Sequence, residues 1–165
     1  MPRGATSQQR DHNCLPPIVP RSLAVPHKPS YSAELMSARS EQPKIIVVDD
    51  DPSMLRALRR VLAPLGGRLA EAGSVAAALA LLRGEAFDVL LTDVVLPDGD
   101  GCALAVEART RHPGLIVFYL SGYGPEILAK YGLLDAAARF IEKPFDVEDL
   151  RGQVAAAFAA REGLT

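Results

Sequence analysis

Short apolar segments that each end in a polar residue constrain the fold of this chain more than any other feature. The clearest is Val89-Leu90-Leu91, which leads to Asp93 and is followed by Pro97, Gly99 and Gly101. Such a run, without helical period and bounded by turn residues, is typical of a strand buried on both faces. In an open parallel sheet, ligands bind at the carboxyl ends of the strands. Asp93 therefore lies where chemistry is expected, although on its own it would be better interpreted as a turn or cap residue.

A second apolar segment strengthens the case for chemistry at Asp93. Residues 44–48 read Lys-Ile-Ile-Val-Val and are followed by Asp49, Asp50 and Asp51. Two neighbouring parallel strands would bring these carboxylates to one edge of the sheet, where like charges repel unless a cation is present. Mg²⁺ prefers oxygen ligands and typically takes one or two carboxylates together with water and phosphate oxygens. The pattern therefore predicts a divalent cation site that suits a phosphoryl group.

Two further apolar segments end in a hydroxyl group and an ammonium group. Residues 115–120 lead into Ser121, and residues 139–141 lead into Glu142 and Lys143. With these segments in place, the chain resembles the receiver domains of two-component response regulators from residue 44 to about residue 160. The matching motifs keep the family's order and spacing: Val47-Val48-Asp49-Asp50, Asp93-Val94-Val95-Leu96-Pro97 with Asp100-Gly101, Ser121-Gly122, and Lys143-Pro144-Phe145. The last two motifs and the stretch between them also resemble receivers at the carboxyl end of hybrid histidine kinases.

Apolar strands and helical patterns alternate throughout this region. Helix starts are indicated by Pro52, Ser74 and Asp146, and glycines or prolines follow most of the helical patterns. The alternation implies right-handed β-α-β units and a parallel sheet. The resemblance and the rule for such folds then predict an α/β fold, a flavodoxin-like (βα)5 three-layer sandwich with parallel strand order 2-1-3-4-5. In that order the first and third strands are neighbours, so their acidic ends meet.

Residues 1–43 differ from the rest and are predicted to form a disordered, Pro-rich tail. They hold seven of the thirteen prolines and five Lys or Arg against three Asp or Glu. Prolines at this density oppose helix and strand, and they also interrupt any apolar core of a secretory signal. Met36 offers an alternative translation start, so whether residues 1–35 are made is left open. The receiver domain is predicted to span residues 44–162.

The resemblance implies that Asp93 is the phospho-acceptor. Its carboxylate would take a phosphoryl group from a histidine kinase or a histidine phosphotransfer protein and hold it as an acyl phosphate. The implied cofactor is Mg²⁺, bound directly by Asp50, Asp93 and the backbone carbonyl of Val95, and through a water molecule by Asp49. Such a transfer depends mainly on positioning and charge neutralisation. The chain is therefore predicted to be a phospho-acceptor that assists its own phosphorylation and dephosphorylation, and not an enzyme.

Three more residues take roles from the same resemblance. Lys143 is expected to pair with Asp93 and later with phosphoryl oxygens, and the Lys143–Pro144 bond is often cis in this family. The hydroxyl of Ser121 is expected to bind a phosphoryl oxygen, and Ser121 and Phe140 form the expected conformational switch. Phe140 departs from the family, which often has tyrosine there, so this switch would lack one hydrogen bond.

The expected output is a protein contact on the face formed by the fourth helix, the fifth strand and the fifth helix. The net charge of −2 indicates no bulk attraction to nucleic acid or to a membrane, and the sequence has neither a DNA-recognition motif nor an apolar run of membrane-spanning length. We therefore expect a downstream protein partner or onward relay of the phosphate. Cys14 and Cys102 lack metal-ligand spacing, which fits the cytoplasm. Homodimerisation through the same face is left open.

Two alternative functions remain at the level of sequence. Asp49 and Asp51 form an Asp-x-Asp pattern after an apolar strand, which resembles phosphatases of the haloacid dehalogenase type, with Asp49 as nucleophile and Asp51 as acid and base. The other alternative is a receiver-like binding module that acts without phosphorylation. The later motifs favour the phosphorylated receiver over both.

Overall fold

Five parallel strands form the centre of the fold. The computed structural model describes residues 42–122 and 139–162. The strands of its central sheet are β1 (Lys44–Val48), β2 (Arg68–Ala72), β3 (Val89–Asp93), β4 (Ile116–Ser121) and β5 (Arg139–Glu142). They pair in the order β2-β1-β3-β4-β5, and every pair is parallel. The predicted strand order is confirmed.

Four helices connect or follow these strands within the described residues. They are α1 (Pro52–Leu62), which a short 3-10 turn continues over Ala63–Leu65, α2 (Val75–Gly84), α3 (Gly101–Arg111) and α4 (Val147–Glu162). The last of these is the predicted fifth helix, because the predicted fourth helix falls among residues 123–138, outside the described residues. The predicted tail lies outside them as well, apart from residues 42 and 43. No described helix is both long enough and apolar enough to span a bilayer.

Local capping explains where the helices begin. Asp51 accepts a hydrogen bond from the Ser53 N–H at the start of α1, and Ser74 accepts one from the Ala77 N–H at the start of α2. Asp146 accepts hydrogen bonds from two backbone N–H groups in the first turn of α4. These side chains satisfy donors that the first turn of a helix leaves without an intrahelical partner. The predicted helix starts are confirmed.

Alternation along the strands divides the core into two layers. Successive side chains of a strand point to opposite faces of the sheet, so each strand contributes to both layers. On the face covered by α1 and α4, the buried side chains include Ile45, Val47, Val89, Leu91, Phe118, Leu120, Leu58, Leu62, Leu150 and Val154. On the face covered by α2 and α3, they include Ile46, Val48, Leu90, Val117, Tyr119, Ala78, Leu82, Leu104, Ala105 and Ala108. The predicted three-layer sandwich is therefore confirmed.

A short hairpin between β3 and α3 was not predicted. Val95–Leu96 pairs in antiparallel fashion with Gly99–Asp100, and Pro97 and Asp98 form the tip. The sequence indicated only turn residues at this position, because strands of two residues are too short to show an apolar period. The hairpin follows Asp93 directly and therefore borders the acidic edge of the sheet.

Candidate functional site

The register of the sheet brings the acidic residues together. Because β1 and β3 are neighbours and Val48 pairs with Thr92, the residues that follow these two positions lie side by side at the carboxyl edge. Asp49, Asp50 and Asp93 each present a carboxylate oxygen within 4.8 Å of the others. Asp49 is buried, Asp93 is half-buried and Asp50 is exposed. The structure thus forms the cluster that the strand ends predicted.

Lys143 reaches this cluster from the segment that follows β5. Its Nζ donates hydrogen bonds to Asp49 Oδ2 at 2.7 Å and to Asp93 Oδ2 at 2.5 Å. The backbone N–H of Lys143 donates to the Ser121 carbonyl at 2.7 Å, and the Lys143–Pro144 peptide bond is cis. Pairing with Asp93 was expected from the sequence, whereas the contact with Asp49 was missed. The ammonium group therefore bridges the ends of β1 and β3.

The surroundings of Lys143 favour its charged form. Burial is the largest single influence and lowers the pKa of this side chain, since it penalises the ammonium ion. The hydrogen bonds that Lys143 donates to the carboxylates of Asp49 and Asp93, together with the negative charges of these groups, act in the opposite direction and outweigh the burial. The pKa of Lys143 is raised as a result, and the bridge remains charged at neutral pH.

One backbone N–H group and the Lys143 side chain fix the orientation of the Asp93 carboxylate. Oδ1 accepts a hydrogen bond from the Val95 N–H at 3.0 Å, while Oδ2 is bound by Lys143. The Thr92 hydroxyl donates to the Asp93 carbonyl at 2.9 Å. The Val95 side chain is 60% exposed, so it does not cover the carboxylate by packing into the core. The Asp93 side chain is itself 18% exposed, so part of the carboxylate faces outward.

Asp49 is held just as firmly on the neighbouring strand. Its Oδ1 accepts a hydrogen bond from the Asp51 N–H at 2.9 Å, and its own N–H donates to the Ala72 carbonyl at 3.1 Å. Only 2% of its surface is exposed. Buried charged groups in proteins are usually paired, and the Lys143 ammonium group pairs with Asp49. The side chain of Asp51 is engaged elsewhere, as the cap of α1.

Ser121 and Phe140 lie on β4 and β5, which follow β3 in the order of the sheet. Ser121 ends β4, is 2% exposed and pairs in register with Glu142 of β5. Phe140 lies on β5 beside Tyr119, is half-buried and packs against the core layer under α2 and α3. A Cβ added at Gly122 would meet nothing within 4 Å, so the approach next to Ser121 is open among the described residues.

The cluster has the composition of a site for a divalent cation. Three carboxylates face one ammonium group, which leaves two negative charges unbalanced. Hard cations such as Mg²⁺ bind oxygen ligands and satisfy such an excess of charge. An Asp cluster that can bind a metal ion is therefore present, and Asp49, Asp50 and Asp93 provide its oxygen atoms.

Asp98 belongs to the neighbourhood of the site and was missed by sequence reasoning. Its two carboxylate oxygens accept hydrogen bonds from the backbone N–H groups of Val75 and Ala76, at 2.8 and 2.9 Å. The side chain thus caps α2 from the tip of the hairpin, more than twenty residues along the chain. An aspartate next to glycine is a common turn signal, and nothing in the local sequence distinguishes this more distant role.

Comparisons with known proteins come from both sequence and structure. The sequence model of the response regulator receiver domain matches residues 45–155. Response regulator protein PilR of Pseudomonas aeruginosa is 36% identical over 118 residues, which cover 72% of this chain and 26% of PilR. Response regulator receiver protein CpdR of Brucella abortus is 31% identical over 111 residues, which cover 67% of this chain and 92% of CpdR. The chain thus spans about a quarter of the first of these relatives and most of the second.

A solved structure gives the same result for the fold. The crystal structure of a CheY-like response regulator receiver domain protein from Methanospirillum hungatei matches with a TM-score of 0.67 at 26% identity. The match covers 76% of this chain and all of that one. This match supports the three-layer arrangement described above for this chain.

Proposed function

We propose, for a chain that belongs to the family of response regulator receiver domains, that Asp93 accepts a phosphoryl group from a histidine kinase or a histidine phosphotransfer protein. The observation that carries this proposal is the cluster itself. Asp93 shares the carboxyl edge of the sheet with Asp49 and Asp50, and Lys143 bridges two of the three carboxylates. In this assignment the domain is a signalling module and not an enzyme with turnover on a separate substrate.

The transfer uses few groups of the protein. A carboxylate oxygen of Asp93 attacks phosphorus, and the bond from phosphorus to the imidazole nitrogen of the donor breaks, with the electron pair returning to that nitrogen. The Val95 N–H and Lys143 hold the two carboxylate oxygens before the attack, so the nucleophile is oriented in advance. The Lys143 ammonium group then pairs with the phosphoryl oxygens, because it already lies within hydrogen-bond distance of the Asp93 carboxylate.

Mg²⁺ is the cofactor that this site fits. Asp50, Asp93 and the backbone carbonyl of Val95 would hold it, and Asp49 would act through a bound water molecule. When bound, the ion would neutralise charge on the phosphoryl group during transfer. Because Asp50 is the exposed member of the cluster, its carboxylate would be accessible to an ion from the solvent.

The output of the domain follows from the groups that respond to the new charge. In the proposed switch, the Ser121 hydroxyl binds a phosphoryl oxygen, and Phe140 repacks next to it without the hydrogen bond that a tyrosine would make. The half-buried position of Phe140 on β5 supports a change in packing. The signal then passes to a downstream protein, or the phosphate is relayed onward, in the cytoplasm. Residues 44–162 form the receiver domain in this proposal, and residues 1–43 form a tail.

The structure disfavours the phosphatase alternative at Asp51. A haloacid dehalogenase mechanism would need the Asp51 carboxylate to exchange protons with the substrate. In this chain that carboxylate accepts the Ser53 N–H at 2.7 Å and caps α1, while Asp49 is buried under Lys143. The exposed approach lies at Asp93 and Asp50.

Intact mass spectrometry tests the proposal. Incubation with Mg²⁺ and a small acyl phosphate donor is expected to add one phosphoryl group to the wild-type chain, and chelation of Mg²⁺ is expected to prevent the addition. The Asp93→Asn variant is expected to remain unmodified. An adduct that persists in Asp93→Asn would refute the assignment of the acceptor, and an unmodified wild type would favour the binding module that acts without phosphorylation.

A further inference from the structure

The tip of the hairpin is tied to the start of α2 by one side chain. Asp98 Oδ1 accepts the Val75 N–H at 2.8 Å, and Asp98 Oδ2 accepts the Ala76 N–H at 2.9 Å. These backbone bonds, first that of Ala76 and then that of Val75, lower the pKa of Asp98. A Cβ placed on Gly99 would lie 3.1 Å from Val75 Cγ2, which shows independently that the hairpin lies directly against the first residue of α2.

The hairpin is short, and its other hydrogen bonds hold its base, where Val95 binds the Asp93 carboxylate and Asp100 caps the start of α3. Each of its strands has two residues, and isolated two-stranded hairpins are marginally stable at best. Val95 is 60% exposed, so Leu96 is the hairpin residue that enters the core. The two bonds to a carboxylate are charge-assisted and stronger than bonds between neutral groups, and they fix the tip of the hairpin, next to the buried Leu96.

The contact continues from α2 to the acidic cluster. The helix begins three residues after Ala72, and the Ala72 carbonyl accepts the N–H of Asp49 at 3.1 Å. On the other side, the hairpin begins with Val95, whose N–H binds the Asp93 carboxylate. Asp98 therefore connects the hairpin that begins at Val95 with the segment that follows β2, whose last residue pairs with the backbone of Asp49.

We propose that Asp98 is a positioning residue, which places the backbone of Val95 at the phosphoryl site by fixing the hairpin to the start of α2. This inference rests on the proposed function, because it takes the Val95 carbonyl as a ligand of the divalent cation. By thermodynamic reciprocity, a cation that selects this position of the hairpin also stabilises the contact between Asp98 and α2. Cation binding at the site and the hydrogen bonds at the start of α2 are thus thermodynamically coupled.

Mg²⁺ titration calorimetry on matched variants tests this inference. The Asp98→Ala variant is expected to bind Mg²⁺ about tenfold more weakly, as is common when a group that orients a metal ligand is lost. The Asp98→Asn variant is neutral like Asp98→Ala but keeps one oxygen acceptor, so its Mg²⁺ affinity is expected to fall between those of the alanine variant and wild type. Ser74→Ala removes the other cap of the same helix without touching the hairpin, so it is expected to lower the unfolding temperature and leave the Mg²⁺ affinity unchanged.

Amide hydrogen exchange gives a second measurement, and its dependence on Mg²⁺ would not change if Asp98 had a purely structural role. In the wild type, Mg²⁺ is expected to slow hydrogen exchange at the N–H groups of Val75 and Ala76, and in Asp98→Ala it is expected to leave them unaffected. Wild-type affinity in Asp98→Ala would overturn the inference, as would an equal loss in Ser74→Ala. An equal loss in Asp98→Ala and Asp98→Asn would overturn it too, because charge alone would then explain the effect. A wild type that fails to bind Mg²⁺ would instead overturn the proposed function, and this inference with it.

Discussion

Replacing Gly101 with alanine is expected to damage the proposed phosphoryl site through the backbone alone. A Cβ at this position would lie 1.8 Å from the Asp93 carbonyl oxygen and 2.8 Å from the Thr92 hydroxyl oxygen. Real Cβ atoms do not approach closer than 3.0 Å, so α3 and the end of β3 must separate by about 1 Å. The hydrogen bond from the Gly101 N–H to the Val94 carbonyl spans this contact, and the new Cβ would press against both oxygens of the hydrogen bond from Thr92 Oγ1 to the Asp93 carbonyl.

The size of the effect follows from these contacts. Forcing an extra carbon into a packed site costs about 1–3 kcal/mol, and weakening two hydrogen bonds adds about 1 kcal/mol for each. The better helix propensity of alanine offsets up to about 1 kcal/mol. We expect a net loss of about 2–4 kcal/mol in the free energy of unfolding, which lowers the unfolding temperature on the order of 10 °C. A displacement of about 1 Å at Asp93 should also slow phosphoryl uptake on the order of 100-fold.

Two glycine variants serve as matched controls for Gly101→Ala. In Gly84→Ala the new Cβ meets nothing within 4 Å, so stability and phosphoryl uptake should both stay near wild type. In Gly67→Ala the new Cβ lies 1.9 Å from the Pro43 carbonyl oxygen, at the amino edge of the sheet. This variant should lose stability like Gly101→Ala but take up phosphate normally while folded. Thermal unfolding and timed intact mass measure both quantities, and a Gly101→Ala chain that behaves like Gly84→Ala would refute the reasoning.

Three further predictions follow from single side chains. Lys143→Gln leaves Asp49 and Asp93 adjacent without a cation, so the free energy of unfolding should fall by about 3 kcal/mol and Mg²⁺ should restore part of it; urea titrations that show no loss would contradict the bridge. Burial first, and then Asp100, raise the pKa of Cys102 from 9.0 to about 12. The folded thiol thus stays protonated where the unfolded thiol ionises, and stability should fall as pH rises from about 9 towards 12, whereas Cys102→Ala should lack this dependence in pH-resolved unfolding. Asp51→Ala removes a helix cap and should cost about 1 kcal/mol while phosphoryl uptake persists; loss of uptake in this variant would return the phosphatase mechanism to consideration.

The parts of the fold that the sequence predicted depend on local patterns. The strands that end at Asp49 and Asp93 could be located because an apolar run and its flanking turn residues lie within one short window. The caps at Asp51 and Ser74 were equally predictable, since a cap acts on residues two or three positions further along the chain. The order of the strands needed the family resemblance, because pairing partners lie far apart in the sequence.

The parts that were missed depend on contacts between distant segments. Lys143 meets Asp49 only because the register of β1 and β3 aligns two strand ends and the chain after β5 turns back over them. Asp98 lies in a turn that looks ordinary, and its partners at Val75 and Ala76 are 23 and 22 residues away. Neither contact leaves a periodic signal, so only the folded arrangement shows them.

Chemical mapping of the phosphorylated residue tests the central claim most directly. Borohydride reduces an acyl phosphate to an alcohol, which converts a phosphorylated aspartate to homoserine that peptide mass spectrometry can locate. After incubation with Mg²⁺ and a small acyl phosphate donor, we expect homoserine at position 93 and unchanged aspartate at positions 49, 50 and 51. Homoserine at position 49 would instead identify that residue as the nucleophile and contradict the assignment of Asp93 as the phospho-acceptor.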